Sequence, residues 1–242
     1  KFVFLLAIFF VQSIHSDYLA REEVSDFIDY MNAKHDFDRD LLNNLLGEAN
    51  HQERVIRIMN KQPEGTMTWE RYKSIMVNDS RISAGEVFIE QHKSDLLRAE
   101  SVYGVPAEII ASIIGIETRY GRIKGNIRVI DSLATLAFDY PRRSKFFKTQ
   151  LEEFLLLSRE ENLAPDQIVG SIAGAMGYGQ FMPDSYRNYA VDFDNDGTRD
   201  ILNNPVDAIG SVANFLSKKG KWKPNTPVAI RAIAVNQDAP IK

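Results

Sequence analysis

The chain contains no cysteine. Disulfides, cysteine-ligated zinc, thiol nucleophiles and a lipidated N-terminal cysteine are therefore excluded for the sequence as it stands. It also lacks a strong charge of either sign. A formal net charge of -4 over 242 residues is too mild for a general nucleic-acid binder. Beyond the first residues there is no long apolar run, no internal repeat, no low-complexity tract and no extended linker. Strand signals are scarce too, and are confined to 228–235. What is there is 44% hydrophobic and 26% charged, ordinary values for a globular protein with a sizeable core.

Residues 1–16 stand apart. Lys1 and an apolar run to Val11 precede Gln12-Ser-Ile-His-Ser16, and polar sequence begins at Asp17. This is the pattern of an export signal, with cleavage expected after Ser13 or Ser16. A buried N-terminal helix is the alternative. The run is shorter than the roughly 20 apolar residues that span a bilayer, so no transmembrane anchor is expected. Export makes the periplasm or the outside the working compartment.

From Asp17 the sequence reads almost wholly as helices, so the fold class is mainly α. Val24, Phe27, Ile28 and Met31 make a helix-period stripe over 22–33. Leu41, Leu42, Leu45 and Leu46 repeat it, and Val55, Ile56 and Met59 make a short helix that ends before Pro63. Residues 62–66 read as a loop, 69–77 as a helical turn or two, and 81–103 as one longer helix closed by Gly104. Further helices are expected over 132–138, 142–159 and 208–217, with another starting at Asp166 as its cap.

The stretch from Val105 to Gly121 organises the rest. Pro106 suits a first helical position and Gly121 a stop. Ile109, Ile110, Ile113 and Ile114 share one face, and Glu117 falls on the same stripe. A carboxylate against isoleucines loses hydration, which raises its pKa toward the range useful to a general acid. The alternative is an edge Glu paired with Arg119 or Arg122.

A second stretch carries Gly170, Gly174, Gly177 and Gly179. Glycines at such density call for close backbone approach, either to a ligand or between tightly packed helices. Tyr178, Gln180, Phe181 and Met182 follow without helical period. An aromatic, an amide and a thioether at a bend suit a sugar-binding groove.

The third stretch, Asp192-Phe-Asp-Asn-Asp-Gly-Thr-Arg-Asp200, has EF-hand spacing. Asp192, Asp194 and Asp196 stand at loop positions 1, 3 and 5, Gly197 at 6, Thr198 at 7 and Asp200 at 9. Thr198 would offer its carbonyl. Asn203 occupies position 12, so Asp207 is the candidate closing carboxylate. An all-protein, oxygen-rich site favours Ca²⁺ in a structural role. The alternative is a solvated acidic turn.

Glu117-Thr-Arg-Tyr-Gly121, Tyr140-Pro-Arg-Arg143, Gly174-Ala-Met-Gly-Tyr-Gly-Gln-Phe-Met-Pro183 and the acidic loop occur together and in order. The set resembles the membrane-bound lytic murein transglycosylase B family, a lysozyme-like group of bacterial cell-wall enzymes, from about Trp69 to Trp222. The resemblance implies a lysozyme-like α-helical catalytic domain with an EF-hand-like calcium loop. It implies Glu117 as catalytic acid/base, Ser171 beside the reacting acetamido group, and Tyr178, Gln180, Phe181 and Met182 in the groove. Tyr72 matches an active-site tyrosine, and Arg142 and Arg143 a basic pair near the muramyl or peptide side. The expected division is 1–16 signal peptide, 17–80 an N-terminal helical part, and 81–242 the catalytic core with calcium loop 192–207. Members usually continue with a Tyr/Asn-bearing stretch, so the C-terminal end is expected to be truncated. The family also often carries Tyr where Phe215 stands, which implies a groove position with one hydroxyl lost.

The activity this implies is cleavage of the β-1,4 bond between N-acetylmuramic acid and N-acetylglucosamine, yielding a 1,6-anhydro sugar. Peptidoglycan strands are the expected partner, together with cell-wall synthesis or degradation proteins. Calcium is the expected cofactor, with no organic one, and the periplasm the expected location, without a lipid anchor. One rival is a hydrolase, which would use a second carboxylate such as Asp131 or Asp139. The other is an inactive calcium-dependent peptidoglycan-binding protein.

Overall fold

A computed structural model of the chain describes residues 18–61 and 67–227. The expected leader, the 62–66 loop and the 228–235 strand lie outside the described residues. Within them run eleven α-helices: α1 (Glu22–His35), α2 (Arg39–Gly47), α3 (Glu53–Asn60), α4 (Trp69–Met76), α5 (Asp79–Gln91), α6 (Lys93–Tyr103), α7 (Ala107–Thr118), α8 (Val129–Phe138), α9 (Ser144–Glu160), α10 (Pro183–Tyr189) and α11 (Pro205–Lys218). Two short antiparallel strands, β1 (Ile127–Arg128) and β2 (Val169–Gly170), pair Ile127 with Gly170.

Local chemistry sets many of the helix starts. Asp38, Thr68, Asn78 and Asn204 each accept a backbone N–H from their own first turn. Pro205 adds a pre-set φ at the start of α11. Gly104, at φ +69, ends α6 in the left-handed conformation.

The fold is built around α8, whose residues are all buried. A helix apolar on every side belongs in a core. It packs against α9, while α2 and α3 cover another side. Its polar residues bind that cover: Asp131 accepts the Asn50 N–H at 2.9 Å and Thr135 accepts the Gln52 N–H at 3.0 Å. One hydrophobic cluster runs from Tyr18 to Ala213, so the N-terminal helices share the core.

Two expectations and one alternative need correction. The single helix over 81–103 breaks at His92 (φ -115, ψ 24). The bend lets Phe88 on α5 and Leu96 and Ala99 on α6 all become buried while both helices pack on α7. No helix starts at Asp166. The Val129 N–H takes the Ile168 carbonyl at 2.9 Å and β2 pairs with β1, which holds this segment extended. The glycine-rich stretch is also not helical. It turns twice, and Met176 and Phe181 exchange two backbone hydrogen bonds of 2.9 Å.

Candidate active-site cleft and acidic loop

The helix carrying Glu117 starts at Ala107, with Pro106 as its cap rather than its first residue. It ends at Thr118, before Gly121, because Arg119 (φ 52) and Tyr120 (φ 60) both turn left-handed. Such conformations are costly for residues other than glycine and need surrounding contacts. Tyr120 has them: its ring lies 5.2 Å from that of Phe88, and its hydroxyl reaches the Arg81 carbonyl at 3.4 Å.

On α7, Ile110 and Ile114 face the core, and Ile113 is only partly buried. Glu117 sits one turn beyond Ile113, at the edge of the stripe. Both line a cleft of about 310 Å³. The bend supplies Gly179, Gln180, Phe181 and Met182, α10 supplies Ser185, and α11 supplies Val212, Phe215 and Leu216. Glu117 keeps more than a third of its surface open to solvent. Even so, partial desolvation at the cleft wall pushes its pKa up. Among the described residues it has no hydrogen-bond or ion-pair partner, so the pairing with Arg119 or Arg122 is not made. No other described residue lining the cleft titrates.

The groove residues named from sequence divide into two sets. Gln180 (φ 50), Phe181 and Met182 line the cleft with Glu117. The Gln180 amide donates to the carbonyls of Lys124 at 3.2 Å and Gly177 at 3.0 Å, and among the described residues its oxygen accepts no hydrogen bond. Tyr178 lies behind, with its ring against Gly121 and under the Lys124 ammonium at 4.8 Å. A Cβ on Gly121 would sit 2.0 Å from that ring, so only glycine fits there. Ser171 organises a turn instead, accepting the N–H groups of Ala173 and Ala175 at 3.3 and 3.0 Å. Tyr72 is exposed and stacks on Trp69. Arg142 and Arg143 are exposed, with Arg143 over the Phe146 ring at 4.2 Å. Ser171, Tyr72, Arg142 and Arg143 do not line the cleft.

The resemblance had put Phe215 in the groove, and it does line the cleft, but the sequence reading missed Ser185, Val212 and Leu216. The available signal was the repeat of Ile209, Val212, Phe215 and Leu216, which is more apolar surface than one core face needs. A larger groove of about 400 Å³ lies between α1 and α9; of its three acids Glu23 and Glu152 are ion-paired and Asp26 is exposed.

The acidic loop joins α10 to α11. Oxygens of Asp192, Asp194 and Asp196 all lie within 4.8 Å of one another. Backbone N–H groups hold them: Gly197 donates to Asp192 at 2.9 Å and Thr198 to Asp196 at 2.8 Å. Gly197 takes φ +95, which the sharp turn requires. The Thr198 carbonyl accepts no hydrogen bond among the described residues. Three converging carboxylates with a free carbonyl fit a hard cation such as Ca²⁺.

Asp200 and Asp207 do other work. Asp200 accepts the N–H groups of Leu202 and Asn203, both at 2.9 Å. Asp207 is fully buried, and its two oxygens accept Phe193 N–H at 2.7 Å and Asp200 N–H at 2.8 Å. Burial raises its pKa against the pull of those donors. Asp207 lies outside the cluster of Asp192, Asp194 and Asp196 and anchors the loop's two ends to α11.

These features define a helical protein of the lysozyme-like class with a single acid in its cleft. The chain belongs to the family described as the transglycosylase SLT domain, which it matches over residues 19–241. It is 45% identical over 231 residues to the membrane-bound lytic murein transglycosylase B of Escherichia coli, with 92% of the chain covered, and it spans 63% of the length of that relative. Its fold superposes on the E. coli lytic transglycosylase Slt35 solved in complex with calcium, at a TM-score of 0.82 and 46% identity, covering 87% of this chain and 67% of that one. It also superposes on SltB3 from Pseudomonas aeruginosa, solved in complex with NAG-anhNAM-pentapeptide, at a TM-score of 0.79 and 32% identity, covering 88% and 55%. Among the described residues no single helix is long and apolar enough to cross a membrane.

Proposed function

We propose that the chain is a lytic transglycosylase of peptidoglycan, working on the periplasmic side. It would cleave the β-1,4 bond between N-acetylmuramic acid and N-acetylglucosamine. The observation that carries this reading is Glu117, among the described residues the one titratable group lining the cleft, without a partner there and with its pKa pushed up. Protonated, it delivers a proton to the leaving glycosidic oxygen. The substrate's own acetamido group stabilises the cationic centre at C1. Glu117, now a carboxylate, takes the proton of the C6 hydroxyl as that oxygen attacks C1. The product is a 1,6-anhydro sugar, and no water is consumed.

A hydrolase would place a second carboxylate or a held water opposite the acid. Asp131 is occupied by Asn50 and Arg128, and Asp139 by Tyr18, Arg21 and His51, all away from the cleft. Gln180, Phe181 and Met182 would hold the sugars at the cut. Tyr72, Ser171, Tyr178, Arg142 and Arg143 would serve the glycan or its peptide beyond it. Asp192, Asp194, Asp196 and the Thr198 carbonyl would hold a structural Ca²⁺, with Asp200 and Asp207 shaping the loop.

Digestion of purified sacculi followed by mass analysis tests the reading. Anhydro-muramic ends, one water lighter than hydrolysis products, are the expected result. Reducing muramic ends would move the chain to the lysozymes, and intact sacculi would leave it a binding protein.

A further inference from the structure

Thr118 follows Glu117 and is 1% exposed, the most deeply buried polar residue of α7. Its hydroxyl makes three contacts. It accepts the Gly121 N–H at 2.9 Å and faces the carbonyls of Tyr178 at 2.9 Å and Ile114 at 3.1 Å. The Ile114 contact is the ordinary back-bond of a helical threonine. The other two are not local to the helix. One closes the turn after Glu117, and the other reaches 60 residues along the chain to the bend that walls the cleft.

Tyr178 is gripped from its other side as well, its N–H donating to the Ile201 carbonyl at 3.1 Å. Two residues on, Gln180 is held at φ 50 with its amide on Lys124. Gln180, Phe181 and Met182 line the cleft together with Glu117. The distance between the acid and that wall is therefore set where Thr118 ties α7 to the Tyr178 peptide.

We propose that Thr118 is a positioning residue for the reaction assigned to Glu117, acting through its hydroxyl to hold the Tyr178–Met182 wall against the acid. This rests on the transglycosylase reading. A reacting group displaced by about 1 Å can lose on the order of a hundredfold in rate, so a tie at this point has catalytic weight. The isosteric Thr118→Val keeps the branched shape and removes the tie, whereas Thr118→Ser keeps the hydroxyl and loses only a methyl.

The test measures kcat, KM, the pH profile of kcat and the melting temperature for the parent and both variants on sacculi with calcium present. Thr118→Val should lower kcat by at least about tenfold with KM within about threefold, and Thr118→Ser should stay within about threefold of the parent. Loosening the wall admits water to Glu117, so the alkaline limb of kcat should move to lower pH in the Val variant. If Thr118→Val does not fold, Thr118→Cys replaces it, since a thiol fills the space but bonds weakly. Parental kcat in the hydroxyl-free variant, or an equal loss in Thr118→Ser, overturns the proposal while leaving the transglycosylase reading intact. A parent that yields no anhydro ends overturns both.

Discussion

Glu117 and Asp207 are both acids on helices, and in both burial pushes the pKa up. They differ in what they touch. Asp207 is fully buried and spends its two oxygens on backbone N–H groups. Glu117 is half open to the cleft and has no partner among the described residues. The first arrangement fixes backbone, since a buried acceptor without donors would be costly. The second leaves a proton free to be given away. Partnership, more than burial, separates the carboxylate that holds the fold from the one proposed to react.

The sharpest way to break this contrast is to replace the unpartnered acid. Glu117→Gln keeps the size and cannot donate a proton to the glycosidic oxygen. Sacculus cleavage should fall by about 10³-fold or more. The melting temperature should hold or rise slightly, since an amide is easier to bury than a carboxylate. In the parent, cleavage should fade as pH rises through the elevated Glu117 pKa, because the protonated form starts the reaction. Substantial cleavage by the Gln variant would return Glu117 to the ranks of edge acids.

On the loop side, added Ca²⁺ should raise the melting temperature, by about 2.7 kcal/mol of stability at a hundredfold excess over Kd. Asp196→Ala removes a ligand and should abolish that shift. Asp207→Asn should act differently, lowering the melting temperature with and without calcium by about 2 kcal/mol, because one loop N–H loses its acceptor. If Asp207→Asn instead removes the calcium response and nothing else, Asp207 is a ligand after all. Identical melting curves in calcium and chelator would mean the parent loop holds no cation.

Much of this contrast was legible in sequence. The isoleucine spacing places Glu117 beside an apolar face, and the Asp-x-Asp-x-Asp-Gly spacing brings three carboxylates together. Both are local periodicities, which a sequence carries directly. What stayed hidden depends on tertiary arrival. Resemblance alone put Phe215 in the groove, and no spacing says that α11 returns from the loop to bring Val212 and Leu216 into the cleft with Glu117. Nor does spacing show that Asp207 turns to the backbone of Phe193 and Asp200. The break at His92 is of the same kind, since the periodicity of 81–103 is continuous and only packing on α7 demands the bend. Tyr72, Arg142 and Arg143 were placed by resemblance, and all three are exposed outside the cleft.

The smallest expected effect comes from a third carboxylate, which separates partnership from burial. Asp139 is mostly buried, its side chain 20% exposed. Burial would raise its pKa, yet hydrogen bonds from Arg21 at 2.6 Å, His51 at 2.7 Å and Tyr18 at 2.8 Å hold it below its ordinary value. His51 responds in turn. Burial would lower its pKa, but Asp139 and Glu53 raise it. The depressed Asp139 contributes stability above its unfolded pKa of about 3.9 and loses it as pH falls through the folded value. The elevated His51 contributes fully below about 6.5 and loses its share as pH rises through its own folded value. This clasp between the N-terminal helices and the end of α8 is therefore strongest from roughly pH 4 to 6.5. Melting at fixed calcium should show the parent losing about 1 kcal/mol as the imidazole deprotonates, a modest figure because the pair is partly solvent-screened. His51→Gln should flatten that step while leaving the acid-side loss in place. Equal slopes in parent and variant above pH 6.5 would mean that Arg21 and Tyr18 alone hold Asp139 down.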